Sequence, residues 1–247
     1  MSANLMSLAR SGGKFLKLFG DRKMVKTMPT ARDYVQDGLV AMWDGIENAG
    51  FGVHDQNATV WKDLIGSDDL IMRNCQFEQD SIVSNSTRNV SAYSSITRNF
   101  GDMSLEVAFR DNTKRYNHDL LSLDVNSGTG IVVFGGQNEN STLDWWVLGN
   151  DTDVAANTLE NTNPTSSSIT LSSDLFRFYR IGLEISSLKT SHNDITGFLS
   201  LFSLRNMEGR NNLIGAIYCV RLYSRALTAD EISHNHAIDK ARFNLPD

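Results

Sequence analysis

"RLYSRALTADEI", residues Arg221 to Ile232, joins a run of β-branched and aromatic residues to a short polar segment that reads as the start of a helix. The spacing predicts a final strand ending at Tyr223, a turn, and a helix opening at Thr228. Thr228 as N-cap with Glu231 three positions on makes a capping box, which satisfies two otherwise orphan backbone donors. Ile232 and His236 share one face of that helix, and Ala237 and Ala241 extend it. Such a helix is expected to cover one end of a β-sandwich.

Upstream the pattern is almost entirely that of strands. In "MSLEVAFRD", Leu105, Val107 and Phe109 alternate with Glu106, Ala108 and Arg110, as a half-buried antiparallel strand requires. The stretches "GLVAMWDG", "TVWKDLIG", "DDLIMRNCQFE", "DSIVSNS", "DLLSLDV", "GIVVFGG", "TLDWWVLGN", "SSITLSS", "FRFYRIGLEIS", "GFLSLFSLRN" and "IGAIYCVRLYS" read the same way, with turn residues between them. Roughly a dozen short strands, few prolines and many glycines at turns predict an all-β sandwich or jelly roll. No repeat with a period of about 20 to 50 residues is visible, which argues against a propeller or a solenoid.

The 247 residues, 40% of them hydrophobic, suffice for one large all-β domain with a substantial core. No apolar run approaches the roughly 18 residues of a membrane-spanning helix, so membrane insertion is not expected. Arg10, Gly12, Gly13 and Lys14 interrupt the N-terminal stretch, so it lacks the apolar core of a classical secretion signal. Asn-x-Ser/Thr triplets such as Asn57-Ala58-Thr59 are then polar loop residues. Cys75 and Cys219 belong to no CxxC pair or zinc pattern. They read as buried thiols, and whether they pair is not readable from the sequence.

Charge is distributed unevenly. Residues 1–32 hold Arg10, Lys14, Lys17, Arg22, Lys23, Lys26 and Arg32 against Asp21 alone, a net of +6, which leaves −12 for the rest of a chain whose net charge is −6. Pro29 holds the residue before it extended and marks a boundary. We therefore read residues 1–32 as a basic arm that anchors to an acidic partner surface, and residues 33–247 as the folded domain. A disordered, solubilising tail is the competing reading of the arm.

"IGAIYCVRLYSRALTADEI" (214–232) resembles the closing segment of laminin-G-like, concanavalin-A-like jelly rolls, in which a G-x-I-x-x-V-R-x-Y strand leads into an L-T/S-x-x-E-I turn and helix. "DGLVAMWDGIENAG" followed by "ATVWKDLIGSDDL" (58–70) resembles that family's opening, where a G-L-V-A-x-W strand precedes a W-x-D-L-x-G turn. Residues 75–210 fit only in strand count and alternation. Within this family, residues 31–64 and the terminal "HAIDKARFNL" are similar to proteins encoded in bacteriophage and prophage regions of gut bacteria. The resemblance implies a concanavalin-A-like jelly roll with a short C-terminal helix, displayed on a virion. It further implies other virion proteins as partners through the arm, an oligomeric assembly, and carbohydrate of host cells or mucus as a ligand.

Related sandwiches include glycoside hydrolases, but the closely alternating acids of an E-x-D-x-x-E strand are missing, and with them the paired carboxylates of glycosidic cleavage. No enzyme is expected. Asp44, Glu47, Asn48, His54 and Asp55 form the densest set of oxygen and imidazole ligands, on a glycine-rich loop. Laminin-G-like domains sometimes hold calcium in such loops to bind sugars, which makes Asp44, Glu47, Asn48 and Asp55 candidate ligands. Asx-turns that satisfy backbone groups are the alternative. Trp145 and Trp146 are adjacent, so on a strand they face opposite sides. One enters the core, and an exposed partner would stack on a sugar ring; with His54 and Asp55 they are the candidate ligand-binding residues. The five histidines show no HExxH spacing, no GxSxG elbow accompanies the serines, and "GTGIVVFGG" is no nucleotide loop.

Overall fold

Two antiparallel sheets stack face to face to form a concanavalin-A-like jelly-roll sandwich. The structure, a computed structural model, describes residues 27–86, 88–112, 118–125, 130–135, 143–147, 150–152, 163–189, 194–204 and 212–246. Arg10, Lys14, Lys17, Arg22, Lys23 and Lys26 of the expected arm lie outside these residues.

The first sheet has eight strands. Its centre is β17 (Gly215–Tyr223), with β8 (Met103–Asp111), β13 (Thr165–Ser172), β14 (Leu175–Arg180) and β15 (Leu183–Lys189) following in order on one side. On its other side β17 pairs with β5 (Ile82–Ser84), which carries β4 (Gln76–Phe77), and then with β1 (Leu39–Asp44). The nine-stranded second sheet runs β12 (Asn150–Thr152), β11 (Leu143–Val147), β10 (Ile131–Gly135), β9 (His118–Asp124), β16 (Ile195–Leu201), β6 (Ser91–Tyr93), β3 (Leu70–Arg73) and β2 (Val60–Trp61). β7 (Arg98–Phe100) shares an edge of β16 with β6. The opening and closing strands, β1 and β17, are neighbours, as the resemblance implies.

Between the sheets lies one apolar core in which Trp43, Trp61, Leu105, Val107, Phe109, Leu123, Trp145, Phe176, Phe178, Leu199 and Val220 are all buried. The opening motif has a direct physical role here. The Trp43 indole donates to the Asp68 carbonyl at 2.8 Å, and the Trp61 indole donates to the Asp44 carbonyl at 2.9 Å. Asp63, two residues after Trp61, accepts from the backbone N–H of Met42, Ile65 and Asp68. A side chain at Gly66 would press on that carboxylate, with its Cβ only 2.8 Å from Asp63 Oδ2. The W-x-D-L-x-G turn thus stitches β1 to the chain that crosses to the other sheet.

Three expectations are corrected. "DDLIMRNCQFE" is not one strand but β3 and β4, which lie in different sheets on either side of Asn74, whose φ is 53°. "FRFYRIGLEIS" is not one strand but the hairpin β14–β15, turned at Ile181 and Gly182 with φ of 44° and 79°. A β-branched residue in the left-handed region is rare, so Ile181 hides the turn from a reading by residue type. The helix α1 (Ala229–Phe243) lies on the outer face of the eight-stranded sheet rather than over one end. Ile232, Ile238 and Phe243 of α1 pack with Ala31, Tyr34, Met42, Ala108, Tyr179, Tyr218 and Tyr223 in a second buried cluster. Consequently β8 is buried on both faces rather than one, and Glu106, on its outward side, is only 2% exposed.

The thiols of Cys75 and Cys219 are both free, Cys219 buried and Cys75 half-buried. Burial pushes the Cys75 thiol up to about 12, so it stays protonated and unreactive near neutrality.

Candidate functional site

A buried set of charges fixes the outer face of the eight-stranded sheet. Arg221 of β17 donates to Glu106 at 2.8 Å and to both oxygens of Asp239 at 2.7 and 2.8 Å, and its guanidinium lies 4.1 Å from the Tyr34 ring centroid. Asn235 donates to Glu106 at 2.7 Å and accepts from the Val35 amide at 3.0 Å. Burial raises the Glu106 carboxyl above its usual range, and Arg221 only partly offsets this. Burial also works against the Arg221 charge, but Asp239 and Glu106 outweigh it and hold the guanidinium well above its ordinary value.

The loop expected to bind calcium belongs to the same construction. Arg242 of α1 donates to both oxygens of Asp44 at 2.8 Å and to Glu47 at 3.1 Å. Its guanidinium stands where the sequence places a metal ion. Glu47 also accepts from the amides of Ala31 and Gly52, and Asp44 from those of Ile46 and Glu47. Asn48 and the Asp55 backbone exchange two hydrogen bonds of 2.8 Å, and the Asp55 carboxylate accepts from the Asn57 amide. These are the Asx-type bonds of the alternative reading, and among the described residues no group of three or more His, Cys, Asp or Glu is placed to hold a metal. His54 and Asp55 remain at the surface, with the His54 ring 3.1 Å from the Gly45 carbonyl. The boundary at residue 33 falls inside a short 3-10 turn, Ala31–Asp33, whose Ala31 is fully buried.

Of the two tryptophans, Trp145 turns inward: it is 1% exposed and packs against Phe178 with ring centroids 6.2 Å apart. Its ring faces are therefore closed to a ligand. The side chain of Trp146 lies outside the described residues, but its backbone pairs with Val132 and Asp151.

The solvent face of the nine-stranded sheet offers a different surface. Leu70, Ala92 and Leu199 point into the core, so by alternation Ile71, Arg73, Tyr93 and Phe198 point out. Strand register aligns Val60, Ile71, Tyr93, Ser200, Ser122, Val132 and Trp146 in a single row across the sheet. Ile71 is 44% exposed, and Tyr93, Phe198 and Arg73 are half-buried. The Arg73 guanidinium sits 6.0 Å from the Tyr93 ring centroid. Ser203 folds over the middle of the row: its hydroxyl is 2.8 Å from that of Ser200, and its carbonyl accepts from Ser122 at 3.4 Å. The result is an apolar floor with a guanidinium at one side and a polar wall at the other. An aromatic ring and a planar donor so placed suit a ligand with one apolar face and several oxygens. None of these four residues was singled out from the sequence; the alternation of β3, β6 and β16 was the signal available.

No family model matches the sequence, and none of the curated proteins does. The fold itself has solved relatives. A sialidase of Trypanosoma rangeli in complex with sialic acid superposes with a TM-score of 0.62 at 13% identity, over 82% of this chain and 33% of that one. The binding domain of Paraclostridial Mosquitocidal Protein 1 superposes with a TM-score of 0.60 at 19% identity, over 81% of this chain and 52% of that one. The chain thus spans about a third of the sialidase and about half of the toxin domain, and the likeness is one of fold.

Proposed function

We propose that this chain is a non-enzymatic carbohydrate-binding domain of a phage virion surface protein, with Tyr93, Ile71, Phe198 and Arg73 forming its sugar platform. The observation that carries the reading is the solvent-facing patch of exposed Ile71 and half-buried Tyr93 and Phe198, with Arg73 beside it, on an otherwise regular sheet face. The fold it shares with the binding domain of a mosquitocidal protein and with a third of a sialidase is in keeping with a binding role. The virion setting rests on the similarity of residues 31–64 and 236–245 to phage-encoded proteins. The basic residues before Thr27 are then the tether to capsid or tail, and adhesion to host-cell or mucus glycans is the task.

The test is glycan-array binding by the full-length chain, with and without calcium. Binding is expected in both conditions, weakened about tenfold by Tyr93→Ala, since one aromatic contact is worth about 1.4 kcal/mol. Silence across the array would instead favour a purely structural decoration role. Hydrolysis of an arrayed glycan, lost on substitution of a single carboxylate, would make the protein an enzyme.

A further inference from the structure

Natural sheets shield their edges, because a free edge offers a row of unpaired N–H and C=O groups to any other strand. Three of the four sheet ends described here are cut short: β4, β12 and β2 span two or three residues each. The free side of β1 is covered by the 62–66 turn, with Leu64 donating to the Met42 carbonyl at 2.8 Å. The fourth end is different. β15 runs for seven residues, has no proline or internal glycine, and among the described strands pairs only with β14. Two of its three apolar side chains are exposed, Leu183 at 63% and Ile185 at 41%, while Leu188 packs against the core.

We propose that β15 is the docking edge for a second copy of this chain, joined antiparallel to the β15 of that copy about a two-fold axis. The charges of the strand select this occupant. Glu184 stands near its start and Lys189 at its end, so an antiparallel copy sets each Glu184 toward the other's Lys189. Both charges lie on the outward side of the sheet, Glu184 beside Arg177 at 3.6 Å and Lys189 beside Asp174 at 3.1 Å. Both remain open to a partner, at 42% and 76% side-chain exposure. The pairing covers Leu183 and Ile185 of both copies and completes the backbone hydrogen bonding. It is isologous and closes at two copies, since among the described strands each chain has one such edge. A two-fold axis perpendicular to the sheet also leaves the solvent faces of both nine-stranded sheets pointing the same way.

Sedimentation equilibrium of the full-length chain, without glycan, tests this independently of sugar binding. A monomer–dimer equilibrium is expected, with its Kd raised at least about tenfold by Ile185→Lys and separately by Leu183→Lys. Glu184→Lys should weaken the dimer, and adding Lys189→Glu should restore it. Far-UV circular dichroism confirms that each variant is folded, and because both apolar positions are exposed, either variant alone serves if the other fails. A chain that stays monomeric at about 100 μM, a range that would reveal even a weak contact, overturns the proposal. So does a dimer indifferent to both lysine variants, or growth beyond two copies.

Discussion

Arg221 shows how little a side chain's type says about its burial. It stands between Val220 and Leu222 in the closing strand, yet it is 1% exposed and holds two carboxylates from other elements. Removing it leaves the buried Glu106 and Asp239 carboxyls without their cation in a dry site. Arg221→Met should therefore cost about 3 to 5 kcal/mol in urea unfolding at pH 7. Trp145 was legible by half: adjacency requires one tryptophan to turn inward, but only the packing against Phe178 says which. Tyr93 was not legible, because a lone tyrosine between Ala92 and Ser94 gains meaning only when register sets it beside Ile71 and Ser200. Asp44 and Glu47 were read, with Asn48 and Asp55, as candidate metal ligands, but the cation they hold is Arg242, nearly 200 positions away.

At the scale of elements, the final helix was the clearest in the sequence, and its start is as expected. Thr228 caps the helix and accepts from the Glu231 amide at 3.3 Å, while Glu231 accepts from the Thr228 amide at 2.8 Å. Arg225, three residues before the cap, adds two bonds to Glu231, of 2.9 and 2.6 Å. These bonds, led by Arg225, hold the Glu231 carboxyl down to about 2. A carboxyl lowered on folding stabilises above its unfolded pKa, and that gain is lost as pH falls through the folded value. Stability should therefore drop by roughly 2 kcal/mol between about pH 4.5 and pH 2 on account of this group. Glu231→Gln should flatten that part of a pH series of thermal unfolding curves. The β14–β15 hairpin was illegible for the opposite reason: local preference predicts extended chain at Ile181, and tertiary packing overrides it. The covering of β8 by α1 was equally hidden, since alternation marks the core face and is silent about what lies on the other.

For the whole molecule, the sandwich class followed from strand count, and the pairing of the opening and closing strands from the two terminal motifs; the structure agrees on both. Alternation says where strands lie but not which outer face is covered, and so the second cluster around Tyr34 and Ile238 could not be foreseen. That cluster makes residues 29–35 part of the folded body. A chain begun at Gln36 loses Ala31, Tyr34 and the Val35 bond to Asn235, and in thermal unfolding should be about 3 kcal/mol or more less stable than the full-length protein.

The bond from Arg242 to the Pro29 carbonyl, 3.2 Å long, ties the incoming chain to the last turn of α1. Tension applied through the residues before Met28 would therefore enter the domain as shear across a guanidinium. From there it divides between Asp44 of the first strand and the axis of the helix. A particle hung by that segment would be held by two elements loaded side by side, rather than by a strand that opens one hydrogen bond at a time.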